Sequence, residues 1–167
     1  MKRVSLAAPP ALFLTLLLLP LLLLAFPSPS LALVEVGAGF GITSFQDDLD
    51  GVDTGSGLSA EVNVGSGVTR LMFAIQSSDH DPGDYSAWMV GPSWTLDTGG
   101  FSTRIYALIS SHEFESIEGW GVTLGGGLGW PILPAASLGF DVRISQWEDG
   151  PVDVQTGTLQ VLFRIGF

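Results

Sequence analysis

Apolar and polar residues alternate along most of this chain with a period of two. The last nine residues show it most plainly. Leu159, Val161, Phe163, Ile165 and Phe167 share one parity, and Gln160, Leu162, Arg164 and Gly166 share the other. Side chains of a strand point alternately to its two faces, so this segment predicts one greasy face and one mixed face. The same pattern predicts strands over residues 34–45, 58–65, 68–76, 87–96, 101–109, 120–130, 137–146 and 158–167. Most have about the 9–11 residues that a tilted strand needs to cross a bilayer. No helical period follows residue 26, and the chain carries 22 glycines with many β-branched and aromatic residues.

The two faces differ in charge. Val36, Phe40, Ile42, Leu58, Val62, Val64, Leu71, Phe73, Ile75, Trp88, Val90, Trp94, Ile105, Ile109, Val122, Leu124, Leu128, Leu138, Phe140, Val142 and Ile144 share one parity, and none is charged. Glu35, Glu61, Arg70, Arg104, Asp141, Arg143 and Arg164 take the other. An Arg facing lipid at mid-membrane costs about 2–4 kcal/mol, so a bilayer selects this segregation. A soluble eight-stranded lipocalin would show the reverse polarity. Trp88, Trp94, Trp120 and Trp130 have outward parity near strand ends, where aromatic girdles sit. Trp147 breaks the parity expected of its strand and predicts a bulge or a place in the loop.

Connections alternate in length. Residues 46–57, 77–86, 110–119 and 147–157 form long ones, and 66–67, 97–100 and 131–136 shorter ones. Bacterial barrels have short periplasmic turns and long external loops. The fold expected is therefore all-β: an eight-stranded antiparallel up-and-down transmembrane β-barrel. Both termini would be periplasmic and the long acidic loops extracellular.

The amino terminus fits that placement. Lys2 and Arg3 precede an apolar run from Ala11 to Phe26, and Ser30-Leu31-Ala32 offers a small-x-small site. This predicts a secretory signal peptide over 1–32 and a barrel domain over 33–167. The run is shorter than the ~20 residues of a helical span, and Pro20 interrupts it. Without the leader the chain keeps four arginines, no lysine and all 17 acidic residues. Such a balance argues against a nucleic-acid partner. There is no cysteine, hence no disulfide framework or thiolate metal site.

The inward charges need partners. A salt-bridge network linking Glu35, Glu61 and Asp141 to Arg70, Arg104, Arg143 and Arg164 is expected, closing the lumen of so small a barrel. The competing reading is a gate or ion path. Inward glycines at 37, 39, 41, 121, 125, 127 and 129 would make room for the arginines or leave a small polar cavity. Glycines 125–129 are no phosphate loop, because no helix or Lys accompanies them. No cofactor motif is present.

The long connections hold most of the acid: Asp47, Asp48, Asp50 and Asp53; Asp79, Asp81 and Asp84; Glu113, Glu115 and Glu118; Glu148, Asp149 and Asp153. A solvated, repulsive face is the plain reading. Asp48-x-Asp50-Gly51-x-Asp53 is a poor match to a calcium loop and lacks the closing Glu, so no metal site is assigned. Such loops could share bridging cations with lipopolysaccharide. His80 and His112 fall in the connections and read as exposed. Ser111 and Glu113 flank His112, but adjacent residues rarely converge on one substrate atom, so no catalytic residues are assigned.

The final strand ending in Phe167, the alternating connections and the inward charges together resemble the small eight-stranded bacterial outer-membrane barrels of the opacity-type, OmpX-like family. The resemblance implies an outer-membrane location in contact with lipid and lipopolysaccharide. It implies that Phe163, Ile165 and Phe167 carry the assembly signal read by the barrel-assembly machinery, with periplasmic chaperones as escorts. It also implies a structural, adhesive or envelope-integrity role, with any host or surface ligand unidentified. A narrow pore is the alternative. Lipid A deacylases and palmitoyltransferases resemble this scaffold in size, but the His-x-Ser-Asn pattern of the deacylases is absent from the late strands.

Overall fold

The computed structural model describes residues 33–166 except 48, 50, 51, 82, 99 and 134. The predicted leader, Phe167, Asp48 and Asp50 lie outside the described residues. Eight strands follow in order: β1 (Leu33–Asp47), β2 (Gly55–Ser66), β3 (Thr69–Asp79), β4 (Asp84–Asp97), β5 (Ser102–Phe114), β6 (Ile117–Leu133), β7 (Ala136–Asp149) and β8 (Val152–Gly166). Each pairs antiparallel with the next, and β8 pairs with β1 to close the barrel. Closure leaves no unpaired sheet edge, which a bilayer would not tolerate.

The register fixes the slant of the wall. A path from Val36 through Val62, Phe73, Val90, Ile109, Val122, Gln146 and Gln155 returns to β1 at Gln46, ten residues further along. This stagger is the shear that tilts the strands and sets the width. At eight strands the interior is just wide enough for side chains to fill.

The outward parity forms a continuous apolar surface. Phe40, Leu58, Phe73, Ile75, Ile105, Leu124, Ile144, Val161 and Phe163 all stand exposed. Glu35, Glu61, Arg70, Arg104, Asp141, Arg143 and Arg164 lie on the inner side, Glu35 and Arg70 partly open and the other five buried. Trp88 and Trp120 meet edge to face on the outside, ring centroids 5.0 Å apart.

Two of the four long connections are tight turns instead. At the end opposite the chain termini, called the far end below, the strands run past their predicted limits. The β5–β6 and β7–β8 turns shrink to residues 115–116 and 150–151. The reason is physical. Beyond the bilayer the outward positions become polar, so the apolar alternation that marks a strand disappears, while backbone pairing continues. Gly150 closes the β7–β8 turn at φ 58°, the left-handed region that favours glycine. Glu115 adopts φ 55° in the β5–β6 turn without that freedom.

Candidate functional site: the barrel lumen

The inward side chains form three layers. The one nearest the termini is ionic. Glu61, at 1% exposure, is held by three guanidinium groups. Arg104 Nη1 donates to Oε1 at 2.5 Å, Arg164 Nε to the same oxygen at 2.7 Å, and Arg143 Nη2 to Oε2 at 3.2 Å. Arg104 also donates to Glu35, which pairs in turn with Arg70 at 3.5 Å. Arg164 Nη2 reaches Asp141 Oδ2 at 3.1 Å, and Tyr106 donates its hydroxyl proton to the same carboxylate. Arg143 Nε donates to that hydroxyl at 3.0 Å. The seven charged residues and Tyr106 thus form one connected set drawn from six strands.

Glycines shape the space for it. A β-carbon on Gly139 would collide with the Arg164 guanidinium, and one on Gly125 with the Tyr106 ring. On Gly37 it would lie 2.8 Å from Glu61 Cγ, and on Gly127 2.9 Å from an Asp141 oxygen.

A belt of hydroxyls and amides follows. Gln76 Nε2 donates to Thr43 at 2.8 Å and to Thr158 at 2.9 Å. With its amide nitrogen turned to Ser59 (2.6 Å), Gln160 accepts from Arg143 Nε and Nη2 at 3.0 and 2.6 Å. The opening among Gly41, Thr43, Gly57, Ser59, Gln76, Thr158 and Gln160 has no room for a water-sized sphere.

At the far end an aromatic cap closes the layer stack. Phe45, Tyr85, Phe114, Trp147 and Val154 are buried there, with Leu49, Val52, Ile117 and Val152 packed against them. Trp147 needs neither bulge nor loop. It continues the inward row Asp141, Arg143, Ser145 of β7 and is fully buried. It stacks on His112 with centroids 5.2 Å apart and planes 8° from parallel.

The histidines also differ from expectation. His112 is a β5 residue, 1% exposed, not part of an exposed loop. Its Nδ1 meets the Tyr85 hydroxyl at 2.7 Å and its Nε2 meets Ser110 Oγ at 2.8 Å. His80 is half-buried, bonded to Ser78 Oγ and the Asp53 carbonyl, each at 2.8 Å. It packs edge-on against Phe45. Sequence reasoning ended the inward row too early to find either residue. The signal was available, since Ser110, His112 and Phe114 continue the parity of Arg104.

Six strand acids of the far end point outward. Asp79 lies opposite Asp84, Glu113 opposite Glu118, and Glu148 opposite Asp153. All six are exposed, and Glu148 lies opposite Trp120. Among the described residues, no three or more His, Asp or Glu side chains are arranged to hold a metal ion.

No family model and no curated protein matches the chain. Solved structures do. The attachment invasion locus protein Ail of Yersinia pestis superposes with a TM-score of 0.60 at 14% identity, over 83% of this chain and all of that one. Ail in complex with the heparin analogue sucrose octasulfate gives 0.59 over the same shares, again at 14% identity. Neisserial surface protein A gives 0.50 at 16% identity, over 81% of this chain and 97% of that one. The likeness is one of fold: this chain has the architecture of small transmembrane β-barrels.

Proposed function

We propose that this protein is an outer-membrane surface barrel with a closed lumen, serving a structural, adhesive or envelope-integrity role. One observation carries the reading. The lumen is filled along its length by an ionic layer, a hydroxyl and amide belt, and an aromatic cap, while the outside is apolar. Ion flow would require several of these contacts to break at once. Recordings in planar bilayers test it. The reconstituted protein should show no steady conductance at neutral pH, and steady channels would establish the narrow-pore alternative instead.

The chain reaches the outer membrane by its leader, and both termini face the periplasm. The acidic far end then faces outward, touching lipopolysaccharide around the Trp88–Trp120 girdle. Phe163 and Ile165 stand on the lipid face of β8, where the assembly machinery would read them together with Phe167. Heat-modifiable gel migration of the membrane-extracted protein tests the barrel. Loss of folded yield on making Phe167 polar tests the assembly signal.

The far end carries no Lys or Arg. It therefore suits a cationic or neutral contact better than a polyanion of the kind bound to Ail. A lipid-modifying enzyme would need its nucleophile and base on the lipid face. Here Ser78 and His112 are buried inside the wall, and Ser110 lies beside His112. Lipid A mass spectra from cells with and without the protein should be identical.

A further inference from the structure

The far-end cap has a weak point in its chemistry. His112 lies between two aromatic faces, Tyr85 on one side (centroids 5.8 Å, planes 23° apart) and Trp147 on the other. Its two nitrogens are both engaged, and the chain continues from Ser110 to Thr123 at 3.0 Å and from Thr123 to Ser145 at 2.8 Å. One imidazole therefore joins side chains of β4, β5, β6 and β7. A neutral ring serves this chain as one donor and one acceptor, whichever tautomer is present.

The charges around it offer nothing to balance a cation. From β4 it meets Tyr85, from its own strand Ser110, from β6 the Thr123 hydroxyl through Ser110, and from β7 Trp147. Inside the lumen the charged groups in the same row of β7 are Asp141 and Arg143, both bound into the ionic layer: Asp141 to Arg164 and Tyr106, Arg143 to Glu61 and Tyr106. The carboxylates of the same strands, Asp84, Glu113, Glu118 and Glu148, are exposed on the outer face.

We propose that His112 makes the cap acid-labile: a proton taken up by its ring loosens the far mouth of the barrel. The imidazolium would gain from the two ring faces. It would still be a cation removed from water, with no carboxylate among the contacts of its ring, which costs more than the rings return. The cheapest relief is for the ring to reach water by parting Tyr85 and Trp147. Once the ring has reached water its charge changes in histidine's ordinary range, about pH 5 to 8, so mild acid favours the opened cap. His80 does not share this role. It sits half-buried at the mouth, outside this four-strand chain, bonded to Ser78 Oγ and the Asp53 carbonyl. The inference concerns the cap alone and stands whether or not the ionic layer conducts.

Amide hydrogen exchange of the purified, detergent-solubilised full barrel tests it. The exchange is followed by mass spectrometry and corrected for its intrinsic pH dependence. Between about pH 7.5 and about pH 5, amides of β5 and β7 at the far end should exchange roughly tenfold faster or more, while those beside Glu61 stay unchanged. His112→Gln should remove the acid response, and His80→Gln should keep it. Ring proton NMR of the unaltered protein gives a second measure, needing no variant. The His112 ring should take up its proton as the cap loosens. The proposal fails if acid leaves the cap amides unchanged, if loosening follows His80 instead, or if His112→Gln still responds.

Discussion

At the scale of single residues, the pairing around Glu61 ranks the charges. Glu61 meets three arginines, whereas Glu35 meets Arg70 at 3.5 Å and shares Arg104. Changing Arg104 to Ala leaves buried carboxylates short of a partner and should destabilise by about 3–5 kcal/mol. A shift of the urea midpoint measures it, and Glu61→Gln should shift the midpoint more than Glu35→Gln. Glu115 bears a backbone strain that glycine would not, so Glu115→Gly should stabilise by about 0.5–1 kcal/mol in the same assay. Alternation told the side of the wall each of these charges would take. It could not tell the partners, because neighbours across the lumen depend on register and shear around the whole barrel. Glu61 and Arg143 are 82 positions apart and meet only after closure.

At the scale of elements, the strands overshoot the bilayer. Their number and order were legible, because the outward apolar positions mark the membrane-crossing part of each. Their far ends were not. Past Trp88 and Trp120 the outward residues are Ser86, Ser111, Glu113 and Glu118, which read locally as loop. The inward residues there, Tyr85, His112, Phe114 and Trp147, nevertheless keep the period of two and build the cap. The β5–β6 and β7–β8 tips are thus tight hairpins on paired strands. Limited proteolysis of the folded barrel should leave residues 115–116 and 150–151 uncut, and mass spectrometry of the digest would show it. Gly125→Ala, inside β6, forces a methyl into the Tyr106 ring and should cost about 1–3 kcal/mol, read as a lower unfolding midpoint.

For the whole molecule, polarity is arranged in two directions at once. Across the wall it runs from oil outside to ions within. Along the axis it runs from an ionic layer near the termini to an aromatic cap at the far end. An Arg placed at Phe73, in the apolar band, should therefore destabilise by about 2–4 kcal/mol, while one at Ser86 should cost little. Denaturant titration in phospholipid vesicles compares the two.

The facing carboxylates on the far-end hairpins have a consequence for how the barrel answers salt. Like charges directly across a strand pair repel, and carboxylates face one another in the Asp79–Asp84 and Glu113–Glu118 pairs. Added sodium chloride shortens the reach of that repulsion to about 8–10 Å or less. Where most surfaces held by ion pairs slacken in brine, this rim should tighten, and its melting temperature should climb with ionic strength.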